Sequence, residues 1–215
     1  GGIGDVASAE PSWELWDLGR IIAGSTELTT CFDAGPVDLE GRLRTEPAAA
    51  PFLEAFEGFL THHGARGPNE WEMACEVWDT DHRLPLALVD RMRVAGPDHA
   101  PAARAERLAT GRGAALADAR SRLRGRHRWW FERCLASAES YTRAREAGKT
   151  FLVEIIHECR LALRDLGRRL AERGEGAPDD LWYVLYSEFD DYRRDPSAFR
   201  EVVAGRRRTR EALSD

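Results

Sequence analysis

The chain has 215 residues, of which 43% are hydrophobic and 32% charged, with a formal net charge of −6. That length and balance exclude a disordered segment and a mini-protein that needs staples. The acidic excess disfavours nucleic acid as a partner, and no apolar run nears the roughly 20 residues that span a bilayer. Basic charge is almost all arginine, and Lys149 is the single lysine. Cys31, Cys75, Cys134 and Cys159 show no CxxC or zinc-like spacing, which predicts free buried thiols in a reducing, cytoplasmic setting. There is no secretory signal pattern, and the start at Gly1 reads as that of a fragment.

The first dozen residues, GGIGDVASAEPS, form a loop, and Ser12 is placed to N-cap the first helix. From Trp13 to about Phe32, Leu15, Leu18, Ile22 and Leu28 mark one helical face. DAGPVDLEGRLRTEP reads as a connection. Pro51 opens a helix whose Phe52, Phe56, Phe59 and Leu60 recur at spacings of three and four. A polar corner, HHGARGPNEWEM over 62–73, interrupts the helical pattern. RLPLALVDRMRVAG is a short helix ending at Gly96, and an alanine-rich helix comes after it. Nearly fifty residues from His127 continue in helical pattern, with Gly148 as a point of kinking or division and Gly174 as the stop. DDLWYVLYSEF breaks the period as an extended, buried turn before a helix start at Ser187, and a last helix closes the chain. The fold class is therefore all-α: an irregular bundle of six or seven helices, with a short extended segment near 181–186, in one domain over 1–215.

GKT at 148–150 invites a phosphate-loop reading. That motif needs a glycine at position 143, which is arginine, and a preceding strand, where a helix is predicted. His62, His63 and His82 with Glu70 and Glu72 form neither HExxH nor an i,i+4 histidine pair, so no metal site is read. In the corner, Gly64 and Gly67 permit unusual backbone angles and Pro68 stiffens the turn. Arg66 can fork onto Glu70 or Glu72, and Trp71 can bury its ring beneath. Two readings of the corner stand: a structural staple between helices, or a pocket wall. Lys149 likewise reads either as a solvated side chain or as a cation in a cleft.

Several ordered stretches carry a resemblance. FLTHHGARGPNEWEM resembles FLxxYGHRGPGExD of the phosphoenolpyruvate-utilising phosphotransferases, a group that includes phosphoenolpyruvate synthase-like proteins and rifampicin phosphotransferase. REAGKTFLVEIIHECRLALRDLGRRLAERG resembles that family's REhpK…R…lGrrLaerG helix, PDDLWYVLYSEF its eDvfyLtldEL, and GGIGDVASAEPSWELWDLGR its glycine-rich loop and helix. The resemblance spans essentially the whole chain. It implies a helical substrate-side domain of a larger ATP-dependent, dikinase-type kinase. The parent's ATP-grasp and phosphohistidine domains are then its partners, a small molecule its substrate, and ATP and Mg2+ are bound elsewhere in the parent. Antibiotics and other hydroxylated natural products are among the acceptors implied. No ATP-grasp pattern or catalytic-histidine loop is found here, so no catalytic residue is named and no cofactor is assigned to the domain. The family's GHRG histidine is Ala65. By resemblance the substrate-binding residues are Gly4, Asp5 and Val6 of the loop, Arg66 and Glu70 of the corner, and Arg145 and Lys149 of the long helix, with Trp13, Trp129 and Trp130 as candidate apolar walls. A free-standing helical binding or interaction module without catalysis is the alternative.

Overall fold

The computed structural model describes residues 10–214, and they hold nine α-helices and no strand. The chain divides into two compact units. Unit 1 comprises residues up to Pro68 and Glu76–Val153, and unit 2 comprises Asn69–Cys75 and the residues from Glu154 onward.

Unit 1 contains α1 (Glu10–Ala23), α2 (Thr26–Asp33), α3 (Leu39–Thr45), α4 (Ala50–His63), α5 (Arg83–Val94), α6 (Pro101–Arg122) and the first part of α7 (Gly125–Glu172). The single helix expected from Trp13 to Phe32 is two. Gly24 is a poor helix former, and Ser25 takes an extended conformation and accepts the Leu28 N–H at 3.3 Å, starting α2. Ser12 lies inside α1 and does not cap it. The stretch expected to be a plain connection holds α3, which buries Leu39 and Leu43 one turn apart. The core joins Leu15, Leu18, Ile22, Phe52, Phe59 and Val89 from α1, α4 and α5. α1 and α5 approach closely at Gly19, where a Cβ would lie 2.9 Å from Arg93 N. Beside it, Arg20 stacks over Trp16 at 4.3 Å and donates to the carbonyls of Met92 and Arg93 at the end of α5.

α6 and the first half of α7 bury none of their residues. They are joined by Arg112–Glu139 and Arg120–Glu132 ion pairs. α7 passes through Gly148 without a break, because a single interior glycine lowers helix propensity by only about 1 kcal/mol.

In unit 2, α7 ends as expected. Gly174 takes φ 74°, and the Glu175 N–H donates to Leu170 O at 3.0 Å. The stretch read as extended near 181–186 resolves into 3-10 turns at Asp180–Tyr183 and Tyr186–Glu188, with Val184 and Leu185 between them at extended angles. α8 (Phe189–Arg194) and α9 (Arg200–Ser214) complete the unit. Leu170, Leu181, Tyr192 and Val203 form its own core, with Tyr192 edge-on to Phe199. All four cysteines are free, but Cys31 and Cys75 are only half-buried, and Cys134 and Cys159 are exposed, so the expected buried thiols are not found. Among the described residues no helix is long and apolar enough to cross a membrane.

Candidate functional site

The corner after α4 is built by close approach. Gly64 and Gly67 both keep negative φ, so the unusual angles expected of them are absent. They are needed for space instead. A Cβ at Gly64 would sit 2.4 Å from Leu60 O and 2.8 Å from Asp79 Cβ, and one at Gly67 would sit 3.1 Å from Val77 Cα. The main chain pairs across this gap: Trp78 N–H donates to Arg66 O at 2.8 Å, and Asp79 N–H to Gly64 O at 3.0 Å. The ring packed against α4 is that of Trp78, half-buried and stacked on Phe59 at 5.3 Å, whereas Trp71 is 52% exposed. His63, buried beside it, holds Nε2 3.2 Å from Glu14 Oε1 in poor alignment for a hydrogen bond.

The Arg66 side chain reaches α7. Its Nη1 lies 3.5 Å from Thr150 Oγ1, a long hydrogen bond, and Thr150 Oγ1 in turn donates to Glu146 O at 3.1 Å. The corner therefore meets the α7 turn that carries Arg145 and Lys149. Lys149 is half-buried there. Arg145 is exposed, and its guanidinium lies against Glu146 at 2.5 Å. GKT sits in mid-helix, where its backbone N–H groups serve α7 and cannot cradle a phosphate. Trp129 and Trp130 lie about 30 Å away along the helix axis and cannot wall a pocket at Lys149. Gly4, Asp5 and Val6 lie outside the described residues.

Glu70 belongs to unit 2, where the segment 69–75 is held by a residue that sequence reasoning did not single out. Arg160 is fully buried in α7. Its Nε donates to Met73 O at 3.1 Å, and its Nη2 to Glu70 O at 2.9 Å and Glu72 O at 3.1 Å. Nη1 lies 3.3 Å from His157 Nδ1. The guanidinium fork suits several oxygens at once, which an ammonium does not. The signal was present in the sequence. Val153, His157, Arg160, Gly167 and Leu170 fall at buried helical spacing, and an arginine in such a stripe must find acceptors.

Among the described residues no group of three or more His, Cys, Asp or Glu side chains is arranged to hold a metal. A cavity of about 430 Å³ lies elsewhere in unit 1, and none of the candidate site residues named from the sequence lines it.

The profile of the family described as rifampicin phosphotransferase fourth domain matches residues 1–146. The match takes in the corner and Arg145 and stops short of Lys149. No curated protein matches the chain.

Proposed function

Because the chain belongs to the rifampicin phosphotransferase fourth-domain family, we propose that it is a helical substrate-binding domain of an ATP-dependent phosphotransferase, with the phosphoryl-transfer chemistry carried by ATP-grasp and phosphohistidine domains. ATP and Mg2+ belong to those domains in this reading. The acceptor is a polyhydroxylated small molecule of the rifamycin kind. The observation that carries the reading is the contact of Arg66 with Thr150, which sets a family-like corner beside Lys149 on α7. Lys149 serves there as a mobile point charge that orients a hydroxyl or anionic oxygen. Arg66 and Arg145 frame the same turn.

Calorimetric titration of rifamycin-like compounds into wild type and Lys149→Met tests this. A charged hydrogen bond is worth about 1.5–3 kcal/mol, so the variant should bind about ten- to a hundredfold more weakly. Unchanged binding in the variant would remove Lys149 from the site. Absence of binding by wild type would remove the substrate role.

A further inference from the structure

The cavity in unit 1 lies between the α2–α3 region on one side and α5 on the other. Its floor is Phe32, Leu39 and Leu86, all core residues, with Ala87 at its edge. At about 430 Å³ it falls in the size range of small-molecule pockets, about 300–1,000 Å³.

Five charged residues line it, and three are already engaged. Glu40 accepts from Arg44 at 2.6 Å and lies 3.2 Å from His82 Nδ1. Asp90 pairs with Arg93 at 2.7 Å, and Arg83 forks onto Asp81 at 2.7 and 2.8 Å. Asp38 and Arg91 also line the cavity, and among the described residues neither has an ion pair or a side-chain hydrogen bond. They carry opposite charges and come from opposite walls, Asp38 from the α2–α3 connection and Arg91 from α5.

Asp38 is placed with some care. It holds φ 52°, uncommon for a residue other than glycine. It occupies the N-cap position of α3 yet makes no capping bond, which is the usual reason for an aspartate there. Gly41 leaves the space that its carboxylate occupies, because a Cβ at 41 would lie 2.3 Å from Asp38 Oδ1.

We infer that this cavity binds a short apolar peptide with free ends. Its apolar side chains occupy the floor, its ammonium meets Asp38, and its carboxylate meets the Arg91 fork. The two rim charges left unengaged match the two ends of such a zwitterion, and the enclosed apolar floor matches its body.

The dipeptide Leu-Phe is the probe, titrated into the whole chain and followed by amide chemical shifts. N-acetyl-Leu-Phe lacks the ammonium, and Leu-Phe amide lacks the carboxylate. An exposed ion pair contributes modestly, so each capped peptide should bind about three- to fivefold more weakly than Leu-Phe. Asp38→Asn should abolish the preference for a free amine, and Arg91→Gln the preference for a free carboxylate. Ala87→Trp should fill the cavity and end binding while the circular dichroism spectrum is kept. Lys149→Met should change nothing, which separates this site from the corner. The proposal is overturned if Leu-Phe causes no shifts at millimolar concentration, if the capped peptides bind as well as the free one, or if Ala87→Trp still binds.

Discussion

Replacing Arg160 by methionine keeps an unbranched stem in α7 and removes only the guanidinium. Glu70 is a buried residue, so its carbonyl loses its donor with little access to water, at a cost of about 1–3 kcal/mol. Glu72 and Met73 are exposed, and their carbonyls can turn to solvent, so each bond forfeits only its net value of about 0.5–1.5 kcal/mol. Against this, the variant no longer buries a charge. The balance is a loss of about 2–4 kcal/mol. In a unit of this size, a loss of 1 kcal/mol lowers the melting point by about 4–8 °C, so a fall of about 10 °C or more is expected. Thermal and urea unfolding by circular dichroism measure the loss, and hydrogen exchange over 69–75 locates it. Arg160→Lys keeps the charge but cannot span three oxygens, and it should lose nearly as much. A melting point within about 1 °C of wild type for Arg160→Met, with unchanged exchange in 69–75, would refute the reasoning. Full rescue by lysine would show that charge, and not the fork, holds the segment.

Two further perturbations address unit 2 and the long helix. The Arg206 fork at 2.6 and 2.8 Å, helped by the Leu185 N–H, pulls the Glu188 carboxyl from its ordinary 4.5 down to about 2. A carboxyl depressed in the folded state stabilises fully above about pH 4.5 and loses that contribution as the pH falls towards 2. Glu188→Gln should therefore flatten the fall in urea midpoint between neutral and acid pH, and a slope as steep as wild type would place the acid sensitivity in other carboxylates. Gly167→Ala would put a Cβ 2.0 Å from the Pro178 carbonyl and should cost about 1–3 kcal/mol through overpacking. Gly148→Ala meets nothing within 4 Å and should gain about 0.5–1 kcal/mol from helix propensity; a melting point that rises in Gly167→Ala, or one that falls in Gly148→Ala, would contradict that variant's assignment.

The helices that were legible in the sequence were those whose apolar residues repeat over several turns. α4 announced itself through Phe52, Phe56 and Phe59, and all three are buried. α3 did not, because seven residues with two buried leucines give barely one repeat of the period, and the preceding Gly-Pro signalled a loop. The break between α1 and α2 was readable in retrospect from Gly24 and Ser25, but the apolar face continues across it. The corner was recognisable as a corner, and its residues were recognised by type. What sequence could not supply was the partner of each. The glycines proved to be about clearance, the ring packed on Phe59 was that of Trp78 and not Trp71, and the arginine that grips 70–73 came from about ninety positions away. The cavity between α2–α3 and α5 left no local pattern, because its walls meet only when the core has formed.

The Arg160 guanidinium grips main-chain oxygens at 70, 72 and 73. Every amino acid brings the same carbonyl, so the exposed positions 71–73 can exchange residues while the Arg160 clasp persists. Trp71 and Glu72, which point outward from it, form a cassette on a fixed mount. Natural variation, or a randomised library, can reshape that surface without rebuilding the domain, and the position that cannot drift is the one that contributes nothing to the surface at all.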